Sequence, residues 1–194
     1  MSITPASEAT ELVLIRHAPV IGDGCVYGRR DLAACLPAPE QLARIALTVG
    51  AVDRIVASPA LRCQQTAKAL WPTEPITLNA DLWEQDLGAW EGRAYAELPD
   101  LGPLPLKDLA AHRPPDGESF LDLGQRVIRA IDTLAASPGR IAVVAHAGSI
   151  RAVLGWATGA LQGGLRFGID PLSLSHVTVL RPEGAVITAV NRCV

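Results

Sequence analysis

The sequence ELVLIRHAPV, residues 11–20, carries the clearest structural signal in the chain. Its apolar run, residues 12–15, is typical of a strand that is buried on both faces of a parallel sheet. Arg16 and His17 follow at once, and Pro19 turns the chain away from the strand. Because open α/β sheets bind ligands at the carboxyl ends of their strands, this pattern predicts a functional edge at Arg16 and His17.

Arg16 and His17 combine a permanent cation with a group that titrates near neutral pH. The planar guanidinium of Arg16 fits phosphate or carboxylate. The imidazole of His17 can act as a nucleophile or a base, and a neighbouring arginine disfavours its charged form. The pair by itself also fits a capped strand end, so the other strand ends must decide between these interpretations.

A second apolar run, residues 54–57, also ends in polar residues. It leads into Ser58 and Pro59, which predict a helix start with Ser58 as the N-cap. The helix predicted over residues 60–71 carries Arg62 in its first turn. An arginine is unfavourable near the positive end of a helix unless an anion is there, although a surface ion pair is the alternative.

A third apolar run, residues 141–145, ends in His146, and a helix is predicted over residues 150–158. The amino end of that helix supplies N–H groups and a dipole that favour an anion. His146 could also be a buried structural histidine, which is the alternative interpretation. The carboxyl ends of parallel strands meet at one edge of a sheet. We therefore expect two arginines and two histidines around one anion: Arg16, His17, Arg62 and His146.

Two further helices and three short strands are predicted around these strand–turn–helix units. Helical spacing marks residues 39–50 and 120–134, the second with a continuous apolar stripe and with Asp116 or Ser119 as its cap. The strands are predicted over residues 75–78, 172–180 and 186–190. The last two would pair through a turn at RPEG, residues 181–184, and form an antiparallel edge.

Composition restricts the classes of partner. The net charge of −3 gives no general attraction to nucleic acid or to an acidic membrane, so we expect neither as a partner. A polar tail over residues 1–10 and the lack of any apolar run near the ~20 residues of a membrane helix predict a cytoplasmic protein. Cysteines without CxxC spacing predict reduced thiols and no zinc site: Cys25, Cys35, Cys63 and Cys193.

Four motifs occur in one order along the chain: LIRHAP, SPALRCQQTA, LWEQDLGAWEG and VVAHAGSIRAVLG. Together they resemble the histidine phosphatase superfamily, the phosphoglycerate mutase-like enzymes. The resemblance implies a single α/β domain over residues 1–194, built as a three-layer α/β/α sandwich. Its six-stranded sheet is mostly parallel with one antiparallel edge strand. The proline-rich residues 85–117 would then form a lid-like insertion.

The resemblance also implies a mechanism without metal or organic cofactor. His17 would attack phosphorus and become phosphohistidine, while Arg16, Arg62 and His146 hold the phosphate oxygens. Glu84 would protonate the leaving group and later activate water, with Asp86 and Glu91 as less favoured acids nearby.

Substrate contacts are also implied at Ala147, Tyr27 and Gly28. Two positions depart from the family pattern, since Ala18 replaces the usual glycine and Val20 replaces a hydroxyl residue. The loss of that hydroxyl is expected to weaken phosphate binding or to shift specificity.

The predicted function is a phosphomonoesterase that acts on a small phosphorylated metabolite. The arrangement of YGRRDL and DGES is similar to that of α-ribazole 5′-phosphate phosphatases of cobalamin assembly. A phosphoglycerate mutase is one alternative. A phosphatase of protein phosphohistidine or phosphoserine, or a module that only binds such groups, is another. The sequence predicts a monomer or a homodimer.

Overall fold

The computed structural model describes residues 9–22, 24–180 and 184–194. Within them, one six-stranded sheet contains β1 (Ala9–Arg16), β2 (Arg54–Ala57), β3 (Thr77–Leu78), β4 (Gly139–Ala145), β5 (Leu174–Leu180) and β6 (Gly184–Arg192). The strand order is β3–β2–β4–β1–β5–β6. Strands β3, β2, β4 and β1 run parallel, and β5 runs antiparallel to both β1 and β6.

Helices cover both faces of this sheet. They are α1 (Pro39–Val49), α2 (Leu61–Leu70), α3 (Leu106–Ala111), α4 (Phe120–Leu134) and α5 (Ala147–Ala157). Alternation along β1 sends Leu12 and Leu14 into a core shared with α4 and α5, and Val13 and Ile15 into a core shared with α1 and α2. The predicted three-layer α/β/α sandwich is therefore confirmed.

The strand register brings the polar strand ends together. Arg16 at the end of β1 pairs with Ala145 at the end of β4, and Ala57 at the end of β2 pairs with Val144. The next residue after each of these strands is polar: His17 after β1, Ser58 after β2 and His146 after β4. All three chain reversals consequently lie at the same carboxyl edge of the sheet.

Most predicted elements lie within a few residues of the observed ones. The predicted strand over 54–57 is confirmed without change. Ser119 is the N-cap residue of α4, and its hydroxyl accepts a hydrogen bond from the Asp122 N–H. Helix α5 begins at Ala147, three residues before the predicted start, so His146 is its N-cap residue. The hairpin of β5 and β6 forms the predicted edge, with the antiparallel strand β5 one place inside β6.

Ser58 does not cap α2, and this prediction was wrong. The N-cap residue is Ala60, and Ser58 instead accepts a hydrogen bond from the Ala60 N–H and pairs with the ring of His146. A local pattern of serine and proline could not show that a histidine 88 positions away takes up the hydroxyl.

The insertion over residues 85–117 is partly helical, as predicted. It contains 3₁₀ turns at Gly88–Trp90 and Tyr95–Glu97, followed by the short helix α3. The predicted tail and RPEG turn fall mainly on residues 1–8 and 181–183, which lie outside the described residues.

Candidate active site

A cavity of about 330 Å³ opens at the carboxyl edge of the sheet. Both charged and apolar side chains line it. The lining includes Arg16, His17, Val20, Tyr27, Arg62, Glu84, Gln85, Leu87, Tyr95, Phe120, Ala147, Gly148, Arg151 and Leu165. This volume is at the lower end of the range for small-molecule sites.

His17 is held in one tautomer by two hydrogen bonds. Its Nδ1 lies 2.7 Å from the carbonyl oxygen of Ala18, and a carbonyl can only accept, so Nδ1 carries the proton. Nε2 lies 3.3 Å from Nε of Arg62, whose N–H can only donate. Nε2 therefore bears a lone pair, which is the requirement for a nucleophile.

Burial keeps this imidazole uncharged. His17 lies mostly out of contact with solvent, and desolvation is the main reason that its pKa falls to about 3. The charges of Arg62 and Arg16 lower the pKa further, and the hydrogen bond to Ala18 opposes them. The sequence predicts that neighbouring arginines keep His17 neutral, and their charges do act in this direction. Burial of the ring has the larger effect on its pKa.

Arg62 is buried and fixed by backbone carbonyl groups. It donates from Nη1 to the carbonyl oxygen of Arg30 (2.9 Å) and from Nη2 to that of Gly28 (2.8 Å). These bonds hold the guanidinium against His17. Gly28 is not among the lining residues of the cavity, so the structure gives it a role in positioning Arg62.

Arg16 lines the same cavity beside His17. It donates from Nη1 to the carbonyl oxygen of Ile169, while its buried Nε has no hydrogen-bond partner in the part of the chain that the structure describes. Burial lowers its pKa, Glu84 acts in the opposite sense, and Arg151 lowers it again. Arg16 is thus close to both an acidic and a basic neighbour in this cavity.

His146 lies behind His17 and not on the cavity wall. The two ring centroids are 5.1 Å apart in an edge-to-face arrangement, and His146 is fully buried. Its Nε2 lies 2.8 Å from the hydroxyl oxygen of Ser58, and burial lowers its pKa well below the ordinary value. His146 is therefore near the predicted site, while its ring nitrogen is taken up by Ser58.

Glu84 reaches the amino end of α5. Its Oε2 accepts a hydrogen bond from the Gly148 N–H (3.2 Å), and its Oε1 accepts one from the Gln85 N–H (2.9 Å). A Cβ atom at Gly148 would lie 2.2 Å from Oε1 of Glu84, so any larger residue there would displace this carboxylate. The helix end predicted to bind the substrate anion thus holds a carboxylate.

A partly buried ion pair holds the backbone around Glu84. Arg126 of α4 donates to the carbonyl oxygens of Asp81 (2.8 Å), Trp83 (2.7 Å) and Glu84 (2.8 Å). The same guanidinium pairs with both carboxylate oxygens of Glu118, and Glu118 Oε1 also accepts from the Asp86 N–H. We call Arg126 and Glu118 the Arg–Glu clamp.

The structure brings together most of the predicted site residues and adds others. Tyr27 and Ala147 line the cavity, as do His17, Arg16, Arg62 and Glu84. Sequence reasoning missed Arg151, Tyr95 and the Arg–Glu clamp. Arg151 was detectable, because it lies four residues after Ala147 and must share its face of α5.

The described residues hold neither a candidate metal cluster nor a helix that could span a membrane. No group of three or more histidine, cysteine, aspartate or glutamate side chains that could hold a metal ion occurs in residues 9–22, 24–180 and 184–194. In the same part of the chain, no helix has the length and apolar character needed to span a membrane.

The fold and site define an α/β protein with a cationic, histidine-containing pocket at the carboxyl edge of its sheet. A model of the histidine phosphatase superfamily (branch 1) matches residues 12–192. The chain belongs to this superfamily, which confirms the resemblance seen in its four motifs.

Curated relatives resemble this chain over about three quarters of its length. Bifunctional protein Rv2228c of Mycobacterium tuberculosis (strain H37Rv) is 33% identical over 154 residues, which cover 74% of this chain and 42% of that protein. The chain thus spans less than half the length of the curated relatives that it matches.

Solved structures share the fold over nearly the whole chain. Mycobacterial hydrolase 1 has a TM-score of 0.83 at 22% identity, covering 96% of this chain and 100% of that one. The alpha-ribazole phosphatase from Shigella flexneri has a TM-score of 0.78 at 23% identity, covering 94% and 96%. At such identities the similarity concerns the fold.

Proposed function

We propose that this protein is a metal-independent phosphomonoesterase that works through a phosphohistidine at His17. One observation carries the proposal: Nε2 of a neutral His17 bears its lone pair beside Arg62, at the wall of a cavity that Arg16 and Glu84 also line. Nucleophile, cations and a proton donor are therefore within one small volume.

In the first step, Nε2 of His17 attacks phosphorus, the N–P bond forms, and the bond from phosphorus to the ester oxygen breaks. The Nδ1–H bond to the carbonyl of Ala18 stabilises the positive charge that develops on the ring. Arg62 and Arg16 stabilise the phosphoryl oxygens, and a protonated Glu84 gives its proton to the leaving oxygen.

In the second step, Glu84 takes a proton from water as the water oxygen attacks phosphorus. The N–P bond breaks, inorganic phosphate is released, and the electron pair returns to Nε2. His146 acts here as a positioning residue, because its contact with His17 and its bond to Ser58 restrict the place of the nucleophilic ring.

The proposed substrate is a small phosphorylated metabolite. The cavity volume supports this class, and Gln85, Leu87 and Tyr95 of the insertion contribute to the cavity wall, as a covering segment would. α-Ribazole 5′-phosphate remains one candidate within this class. A phosphoglycerate mutase or a phosphatase of phosphoproteins would replace this proposal if phosphate exchange between glycerates, or phosphopeptide hydrolysis, proved faster.

The test is hydrolysis of p-nitrophenyl phosphate in the presence of a chelator. We expect activity in the wild type, none above background in His17→Ala, and a loss of about 100-fold or more in Glu84→Gln. His176→Gln is the matched control, because His176 lies on β5 beside Glu11 of β1 and is not a cavity residue. Normal activity in His17→Ala, or sensitivity to chelator, would contradict the proposal.

A further inference from the structure

Arg151 is a cation of the cavity that the proposed mechanism leaves unused. It lies in α5 and lines the cavity together with Gly148. Its Nε donates to the carbonyl oxygen of Phe167 (2.9 Å), which orients the guanidinium. Within residues 9–22, 24–180 and 184–194, its Nη atoms have no hydrogen bond or ion pair.

Arg151 and Arg62 reach the cavity from opposite faces of the sheet. Arg62 belongs to α2, which packs on the core that contains Val13, whereas α5 packs on the core that contains Leu12. Arg62 is fixed against His17, so the phosphoryl group must lie beside it. The guanidinium of Arg151 therefore approaches a bound monoester from a different direction.

Arginines outnumber acidic residues in the cavity lining. Arg16, Arg62 and Arg151 line it together with a single carboxylic acid, Glu84. In the described residues Glu84 accepts hydrogen bonds from the N–H groups of Gly148 and Gln85 and makes no ion pair with Arg151. Like charges in a partly enclosed cavity repel each other, and a second anionic group on the ligand would remove this cost.

We propose that Arg151 binds a second anionic group of the substrate, a carboxylate, and that the preferred substrates are carboxylated phosphomonoesters. This inference rests on the proposed function and names its substrate class. A guanidinium with two free Nη groups can bind a carboxylate through two parallel hydrogen bonds. α-Ribazole 5′-phosphate has no second anionic group and therefore ranks lower as a substrate.

The experiment uses two monoesters that differ in one group. 3-Phosphoglycerate carries a carboxylate where glycerol 3-phosphate carries a hydroxymethyl group. We expect kcat/KM of the wild type to be about 10- to 100-fold higher for 3-phosphoglycerate, the range for a hydrogen-bonded charge pair. Arg151→Met should reduce this ratio to about 1–3, mainly through a higher KM for 3-phosphoglycerate. Arg166→Met, an exposed arginine outside the cavity lining, is the matched control and should keep the ratio.

The outcomes separate the two proposals. If both monoesters are hydrolysed equally by the wild type, or if Arg151→Met lowers kcat/KM equally for both, the carboxylate assignment is wrong while the phosphatase stands. If the wild type hydrolyses neither monoester nor p-nitrophenyl phosphate, the proposed function fails. In that case, calorimetric titration of both monoesters still tests the role of Arg151. The wild type should bind 3-phosphoglycerate more tightly than glycerol 3-phosphate, and Arg151→Met should remove this difference. Equal binding of the two monoesters by the wild type would overturn the carboxylate assignment.

Discussion

At the scale of single residues, His17 is prepared for attack by contacts that act on its two nitrogens separately. The carbonyl of Ala18 holds the proton on Nδ1, and the N–H of Arg62 points to the lone pair of Nε2. An incoming phosphate must displace this second contact. The same N–H of the fixed guanidinium can then donate to a phosphate oxygen, so the cation that orients the nucleophile also binds the electrophile.

Val20 marks a position where a hydroxyl would add a phosphate contact. It lines the cavity, and the resemblance to the family implies a hydroxyl residue here. Val20→Thr keeps the shape of the side chain and adds one donor. We expect KM for p-nitrophenyl phosphate to fall about 3- to 10-fold with little change in kcat, since one hydrogen bond contributes about 1 kcal/mol.

Val186→Thr is the matched control for this change, because it makes the same substitution on exposed β6. Steady-state kinetics with p-nitrophenyl phosphate should give a lower KM for Val20→Thr and an unchanged KM for Val186→Thr. An unchanged or higher KM in Val20→Thr would show that the phosphate does not reach this wall of the cavity.

At the scale of elements, the Arg–Glu clamp links α4 to the segment that carries Glu84. Arg126 bonds three carbonyl oxygens of that segment and the carboxylate of Glu118. A lysine has no planar fork and cannot make these bonds together. We expect Arg126→Lys to lower kcat about 10- to 100-fold by misplacing Glu84, and to cost about 3 kcal/mol of unfolding free energy.

Arg129→Lys provides the control for the clamp. It lies on the same helix with a 65% exposed side chain and only a 3.7 Å contact to Asp81, so activity and urea unfolding should hardly change. If Arg126→Lys lost stability but kept the kcat of the wild type, the clamp would support the fold and not the position of Glu84.

The sequence was informative wherever an element is defined by local pattern. The apolar runs of β1, β2 and β4 and the stripe of α4 depend on residues close together in the chain, and these elements were predicted within a few residues. The 3₁₀ turns between β3 and α3 follow no apolar period. Their shape depends on contacts such as Gln85 to Glu118, which no local pattern contains.

The same distinction holds within the site. His17, Arg62 and Glu84 were predicted from motifs, and the structure brings them together at one cavity. The pairing of Ser58 with His146 and the bonds of Arg126 to the Glu84 segment connect residues more than 40 positions apart. The burial that keeps His17 neutral also arises only when the chain is folded, so the local sequence could not show it.

At the scale of the whole molecule, two neutral histidines buried next to each other link stability to pH. Desolvation lowers the pKa of His17 to about 3 and that of His146 well below the ordinary value. In the unfolded chain both titrate near 6.5. Between these values the unfolded state binds protons that the folded state does not, so stability is greatest above about pH 6.5 and falls as the pH is lowered towards 3.

His17→Gln tests this linkage because glutamine has no titrating group in this range. Each such histidine contributes up to about 1.4 kcal/mol of unfolding free energy per pH unit well below 6.5. Urea unfolding at pH 7.5, 6.5, 5.5 and 4.5 should therefore give a shallower decline for His17→Gln than for the wild type, by about that amount between pH 5.5 and 4.5. Equal slopes in the wild type and His17→Gln would mean that His17 takes up a proton in the folded protein, and a protonated imidazole has no lone pair with which to attack phosphorus.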